Sequence, residues 1–241
     1  MSAVPGATLD WAAKGTAAFE ATVEWLTDSG LTRPSYLLGW SRAHVIAHVA
    51  RNADALVNLL TWARTGVETP MYADAGQRAQ EIEAGARQSA DALRADLLTA
   101  DARLAGELAG LPDACWSATV RTARGRAVPA FEVPWMRVRE VWVHTVDLNV
   151  TTFDDVPREV CAALIDDVAA AFRTRRDSAR VVLRSEDSDA RVWSLGAPGG
   201  AEPVMVSGDL PSLAAYATGR PVPGPLHSRG PGSVPKLPAW L

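Results

Sequence analysis

Lysine is almost missing from this chain: Lys14 and Lys236 stand alone in 241 residues, against 22 arginines. No run of basic residues forms an arm, and a formal net charge of −4 gives no broad positive field, so nucleic acid is excluded as an expected partner. Long apolar runs are also lacking. No window approaches the roughly 18 to 20 apolar residues of a membrane span, and residues 1–11 show no basic stretch followed by an apolar core. A cytoplasmic protein with no membrane partner is expected. The two cysteines, Cys115 and Cys161, allow at most one bridge, and in a reducing compartment they read as free thiols packed in the core. Glycine-rich phosphate loops, paired Cys-x-x-Cys motifs and a serine nucleophile elbow are absent as well, which removes the signatures of several nucleotide-binding and hydrolytic classes.

What is present suits a globular protein: 48% hydrophobic and 22% charged residues supply a core without a bias towards disorder. The length exceeds the commonest single-domain size of roughly 100 to 150 residues. Two unequal domains are expected, 1–150 mainly helical and 151–241 a small α+β unit.

Residues 9–29 space Trp11, Ala12, Phe19, Val23 and Leu26 as one face of a helix that stops at Ser29-Gly30. After a loop at 32–39, Ser41 is an N-cap for a helix of about 24 residues that carries Val45, Val49, Leu56, Leu59 and Leu60 on one side and ends at Thr65-Gly66. Residues 67–74 read as a loop, and Gln77 to Leu108 as one long third helix. A short hairpin is expected over 117–129 around Gly125, and Pro134 then opens a fourth helix, where its missing N–H costs nothing. Beyond residue 151 the pattern gives a helix over 157–173, strands at 180–183, 191–194 and 203–207, and a short helix near 210–218. Six prolines in the last 21 residues predict an extended tail with little regular structure.

The chemistry concentrates on the fourth helix. Apolar Trp135, Met136, Val138, Val141, Trp142, Val143 and Val146 cover most of its circumference and leave a narrow stripe of Arg137, Glu140, His144 and Asp147. Four residues apart, Glu140 and His144 share a face and can reach one ion about 2 Å away. The plainer reading is a solvated seam laced by Arg137–Glu140 and Glu140–His144 pairs. The second helix offers His44 and His48, also four apart, and ligands drawn from two packed helices are how bundles build metal sites. His48 lies roughly 100° from the centre of its helix's apolar face and His44 roughly 140° away, which makes His48 the better ligand. His44 either completes a closed four-ligand site, supports Asn52 or His48, or sits at the surface. His227, among prolines and glycines of the tail, needs no function.

These residues carry a resemblance. The stretches Gly39-Trp40-Ser41-Arg42-Ala43-His44-Val45-Ile46-Ala47-His48-Val49-Ala50-Arg51-Asn52, Thr65-Gly66-Val67-Glu68-Thr69-Pro70-Met71-Tyr72 and Trp135-Met136-Arg137-Val138-Arg139-Glu140-Val141-Trp142-Val143-His144-Thr145-Val146-Asp147-Leu148 resemble the mycothiol-dependent maleylpyruvate isomerases. Tyr216-Ala217-Thr218-Gly219-Arg220 and the closing Pro238-Ala239-Trp240-Leu241 resemble them too. The resemblance implies a mainly α protein, with an N-terminal DinB-like four-helix bundle holding one zinc ion and a smaller C-terminal α+β domain. By position it makes His48, Glu140 and His144 the zinc ligands and Arg220 a residue implicated in activity. The low-molecular-weight thiol mycothiol would be the cosubstrate, and dianionic maleylpyruvate the small-molecule substrate of a cis–trans isomerisation. Arg78, Arg124 and Arg126 are further candidates for anion contact. A mycothiol S-transferase sharing the metal site, or a non-enzymatic metal-binding bundle, are the competing functions.

Overall fold

The computed structural model describes residues 5–175, 180–199, 202–229 and 233–240. The chain divides into two compact units, Met1–Asn149 and Val150–Leu241. Eight α-helices occur among the described residues, none long and apolar enough to cross a membrane.

In the first unit, α1 (Gly6–Trp25), α3 (Arg42–Thr65), α5 (Ala90–Gly110) and α6 (Val133–Asp147) form a four-helix ring in which α1 packs on α6 and α5, and α3 on α5 and α6. Local chemistry sets the bounds of α3. At its start the Ser41 Oγ and backbone N–H lie 2.7 and 3.3 Å from His44 Nδ1; at its end Gly66 takes φ 72°, a left-handed turn that glycine enters without strain. Val45, Val49, Leu56, Leu59 and Leu60 along α3 are fully buried, as their helical spacing predicts. The α1–α6 seam is tight enough that a Cβ on Gly15 would fall 2.5 Å from Val141 Cγ2. Beside it, Trp142 Nε1 donates to Trp11 O at 3.0 Å. The expected hairpin forms from β1 (Thr119–Arg121) and β2 (Ala127–Pro129).

Two helical expectations need correction. The first helix ends at Trp25, and α2 (Asp28–Leu31) is a separate turn whose start is capped by Thr27 Oγ1 accepting from Gly30 N. Gln77–Leu108 is not one helix: α4 (Ala75–Ala86) stops near Arg87, and Ser89, in extended geometry and accepting from Ala92 N at 3.3 Å, caps a fresh start for α5.

The second unit has α7 (Arg158–Phe172) and α8 (Leu210–Thr218) packed on one another, and a sheet of β3 (Val181–Ser185), β4 (Val192–Leu195), β5 (Val204–Gly208) and β6 (His227–Arg229). The order is β4-β3-β5-β6, with β3 and β5 parallel and both outer pairings antiparallel. Strand β6 corrects the expectation of a tail without regular structure. Residues 227–229 fall between prolines, so their N–H groups are free to pair with the edge of β5.

A three-residue candidate metal centre

The candidate centre lies inside the first unit, where α3 meets α6. His48 Nε2 is 2.9 Å from Glu140 Oε2 and 3.1 Å from His144 Nε2, and the third edge, His144 Nε2 to Glu140 Oε2, is 3.3 Å. His48 is buried; Glu140 and His144 are partly so. Three ligand atoms each about 2.0 to 2.1 Å from a tetrahedral ion stand roughly 3.4 Å apart, so this triangle of two imidazole nitrogens and a carboxylate oxygen fits a divalent ion of the zinc class. Among the described residues, this is the group of histidine and acidic side chains that converges closely enough to hold one.

The surroundings orient the ligands unequally. His144 Nδ1 donates to Asp147 Oδ2 at 2.8 Å, which leaves the lone pair of a neutral ring on Nε2, facing the other two atoms. His48 Nδ1 instead accepts from Arg78 Nη2 at 3.1 Å. A guanidinium only donates, whereas ligation through Nε2 needs the proton on Nδ1. Ligation by His48 and this contact with Arg78 are therefore alternatives. The Arg78 guanidinium also lies 5.5 Å from the centre of the Tyr72 ring. Trp40 packs near both histidines of α3, its ring 5.6 Å from that of His48 and 6.2 Å from that of His44.

Electrostatics follow from these contacts. Burial alone would raise the Glu140 carboxyl, but hydrogen bonds to His144 and His48 outweigh it and hold the group well below the ordinary carboxylate range. Burial opposes charge on His144, yet its bonds to Asp147 and Glu140 push it up to about 9. His48 is lowered, chiefly by its burial.

The remaining candidates separate clearly. His44 stays outside the triad: its Nδ1 serves Ser41, and its Nε2 lies 3.3 Å from Glu83 Oε1. Arg137 does not join a solvated seam with Glu140. It turns into the core and pairs with Asp101 of α5, both side chains 1% exposed, while its Nη1 donates to Val49 O and Asn52 Oδ1. Arg126 pairs with Glu132 at 2.9 Å, and Arg124 is exposed. Arg220 belongs to the second unit, where it follows Gly219 (φ 75°) and its Nη1 donates to Thr218 O at 2.7 Å. Both cysteines are free thiols, Cys161 buried and Cys115 half-buried outside the core. Trp40 and Tyr72 carry no signature of their own in the sequence, and Asp147 stands there only as one member of the polar stripe of α6. Of the three, Asp147 was the most findable, three positions after His144.

Comparison with known proteins decides the family. Residues 12–149 match the mycothiol maleylpyruvate isomerase N-terminal domain, and 155–238 match the C-terminal domain of the same enzymes. The chain belongs to the mycothiol maleylpyruvate isomerase family. Two crystal structures of mycothiol-dependent maleylpyruvate isomerase, one of them a histidine-to-alanine mutant, are similar over 100% of both chains, with a TM-score of 0.90 and identities of 38% and 37%. No curated protein matches the chain significantly. The mainly helical fold with a small C-terminal sheet is thus the fold of this family.

Proposed function

We propose that the chain catalyses the mycothiol-dependent isomerisation of maleylpyruvate to fumarylpyruvate, with His48, Glu140 and His144 holding one zinc ion. The observation that carries the reading is the convergence of those three ligand atoms within 3.3 Å, in a chain similar from end to end to mycothiol-dependent maleylpyruvate isomerase.

Turning a cis alkene into a trans one requires that its double bond be lost for a moment. Reversible addition of a thiolate to the conjugated alkene leaves an enolate with a single bond at the rotating position. Expulsion of the thiolate after rotation restores the alkene in its trans form, with the thiol regenerated and no net redox change. A divalent ion in the triad supplies Lewis acidity, for keeping a thiol deprotonated at neutral pH or for polarising a carbonyl.

The protein's own residues bind and orient. Glu140 contributes the negative charge of the ligand set, and Asp147 fixes the ring of His144. Trp40 packs its indole beside His48. Arg220 suits a substrate carboxylate through the two-pronged donor set of its guanidinium. Cys161, pushed up to about 12 by burial, is too weakly acidic to act as a nucleophile, in keeping with a thiol brought in from outside.

The test is to incubate the purified zinc-loaded protein with mycothiol and maleylpyruvate and follow formation of the trans product. Catalytic turnover without net loss of thiol is expected. Stoichiometric consumption of thiol would identify a transferase instead, and no reaction at all would leave a metal-binding bundle.

A further inference from the structure

We propose that Arg78, backed by the ring of Tyr72, is a carboxylate subsite beside the triad, and that it grips the substrate carboxylate attached to the reacting alkene. The inference deepens the proposed function and rests on it.

Its first support is position. Arg78 sits in the first turns of α4, and its guanidinium reaches His48 Nδ1 at 3.1 Å, so the cation stands at the edge of the triad within the same unit. The second is its freedom from acidic partners. Arg51, Arg64, Arg94, Arg103, Arg126 and Arg137 of this unit each pair with a carboxylate, whereas Arg78 has no ion pair among the described residues. The nearby Glu81 is bonded to Gln77, and Glu140 is occupied by the two histidines. A half-buried guanidinium with one aromatic face behind it and no counter-ion in front is suited to an anionic ligand.

The third support is the contact that Arg78 does make. Because that contact and ligation through His48 Nε2 exclude each other, the arm must leave Nδ1 in the metal-loaded protein. Tyr72, 5.5 Å away, still offers its ring to the released guanidinium, which then presents its donor fork next to the triad. With the thiol sulfur held by the ion, the carboxylate it meets there is the one nearest the reacting carbons, since the alkene must then lie within bonding distance of the triad.

Three proteins decide the matter: wild type, Arg78→Met and Arg78→Lys, each loaded with zinc and compared by steady-state kinetics and by zinc competition with a chelator. The expected result for Arg78→Met is a KM for maleylpyruvate raised about ten- to hundredfold. Its KM for mycothiol should stay near wild type, and its zinc affinity should be equal or tighter. Arg78→Lys, keeping charge without the fork, should fall between the two. A wild-type KM for maleylpyruvate in Arg78→Met would overturn the inference. So would a loss of zinc affinity in either variant, which would make Arg78 a support of the metal site. A wild-type protein without isomerase activity would remove the functional reading itself, an outcome seen before either variant is measured.

Discussion

His144 Nδ1 donates to Asp147 Oδ2 at 2.8 Å across one turn of α6, and Asp147 is fully buried. A carboxylate in that position fixes the tautomer and rotation of the ring and makes Nε2 a better donor to a metal. In Asp147→Asn the amide oxygen can still accept the Nδ1 proton, but the negative charge is gone. Zinc affinity is expected to drop about 10- to 100-fold with the helix content intact. Competition with a chelator measures it, and an affinity equal to wild type would show that the ring is oriented by packing alone.

The two histidines of α3 have different tasks, so their alanine variants should part. His48→Ala removes one corner of the triangle and is expected to abolish stoichiometric zinc. His44→Ala should keep its zinc and lose about 0.5–2 kcal/mol of stability, because the ring closes the start of α3 against Ser41. Metal analysis beside thermal melts separates the two. Zinc loss from His44→Ala would instead bring His44 into the ligand set.

Much of this was legible in the sequence, for physical reasons that differ by element. The bounds of α3 and α8 depend on capping by residues at their own ends, Ser41 and Gly66 for one, Asp209 and Gly219 for the other, so local reading located them. The break between α4 and α5 was hidden because both helices carry the same apolar period and Arg87 and Gln88 are good helix formers. Strand β6 was hidden because its pairing partner β5 lies about 20 residues upstream and nothing in the tail's own composition announces it. In the candidate site, spacing alone put Glu140 and His144 on one face and favoured His48 over His44 as the ligand from α3. Spacing could not reveal that Arg137 leaves the same stripe for Asp101, since that carboxylate comes from another helix and is held, despite Arg137, at a pKa raised to about 7 by burial. Nor could it place Arg78 against His48, which depends on where α4 packs.

Protons should compete with the metal. His144 is pushed up to about 9 from an ordinary 6.5, so in the metal-free protein below pH 9 the ring carries a proton on the nitrogen that zinc requires. Apparent zinc affinity should therefore rise with pH, about tenfold per unit for one proton, and level off above about 9. The same sign makes the imidazolium a stabilising group in the metal-free fold, its contribution complete below 6.5 and lost as pH climbs through 9. Calorimetry in buffers of different ionisation enthalpy should count about one proton released per zinc at pH 7.5. Zero release there would mean that His144 is neutral before the metal arrives.

Arg220 lies in the second unit, 76 positions after His144, and its role in the proposed function is to hold a carboxylate rather than the metal. Its backbone N–H donates to Ala215 O at 2.8 Å, closing α8 behind the left-handed Gly219, so the start of the side chain is fixed by the helix end. Lysine in its place keeps the charge and the backbone contacts but presents one ammonium where the guanidinium presents a planar fork. The loss of one charge-assisted, bidentate contact should cost about 1–3 kcal/mol of transition-state binding, or roughly ten- to hundredfold in kcat/KM for maleylpyruvate. Zinc content should not change, because none of the triad is touched. If Arg220→Lys turns over maleylpyruvate with wild-type constants while Arg78→Met does not, then the second unit contributes no carboxylate contact, and the substrate is held from the helical bundle alone.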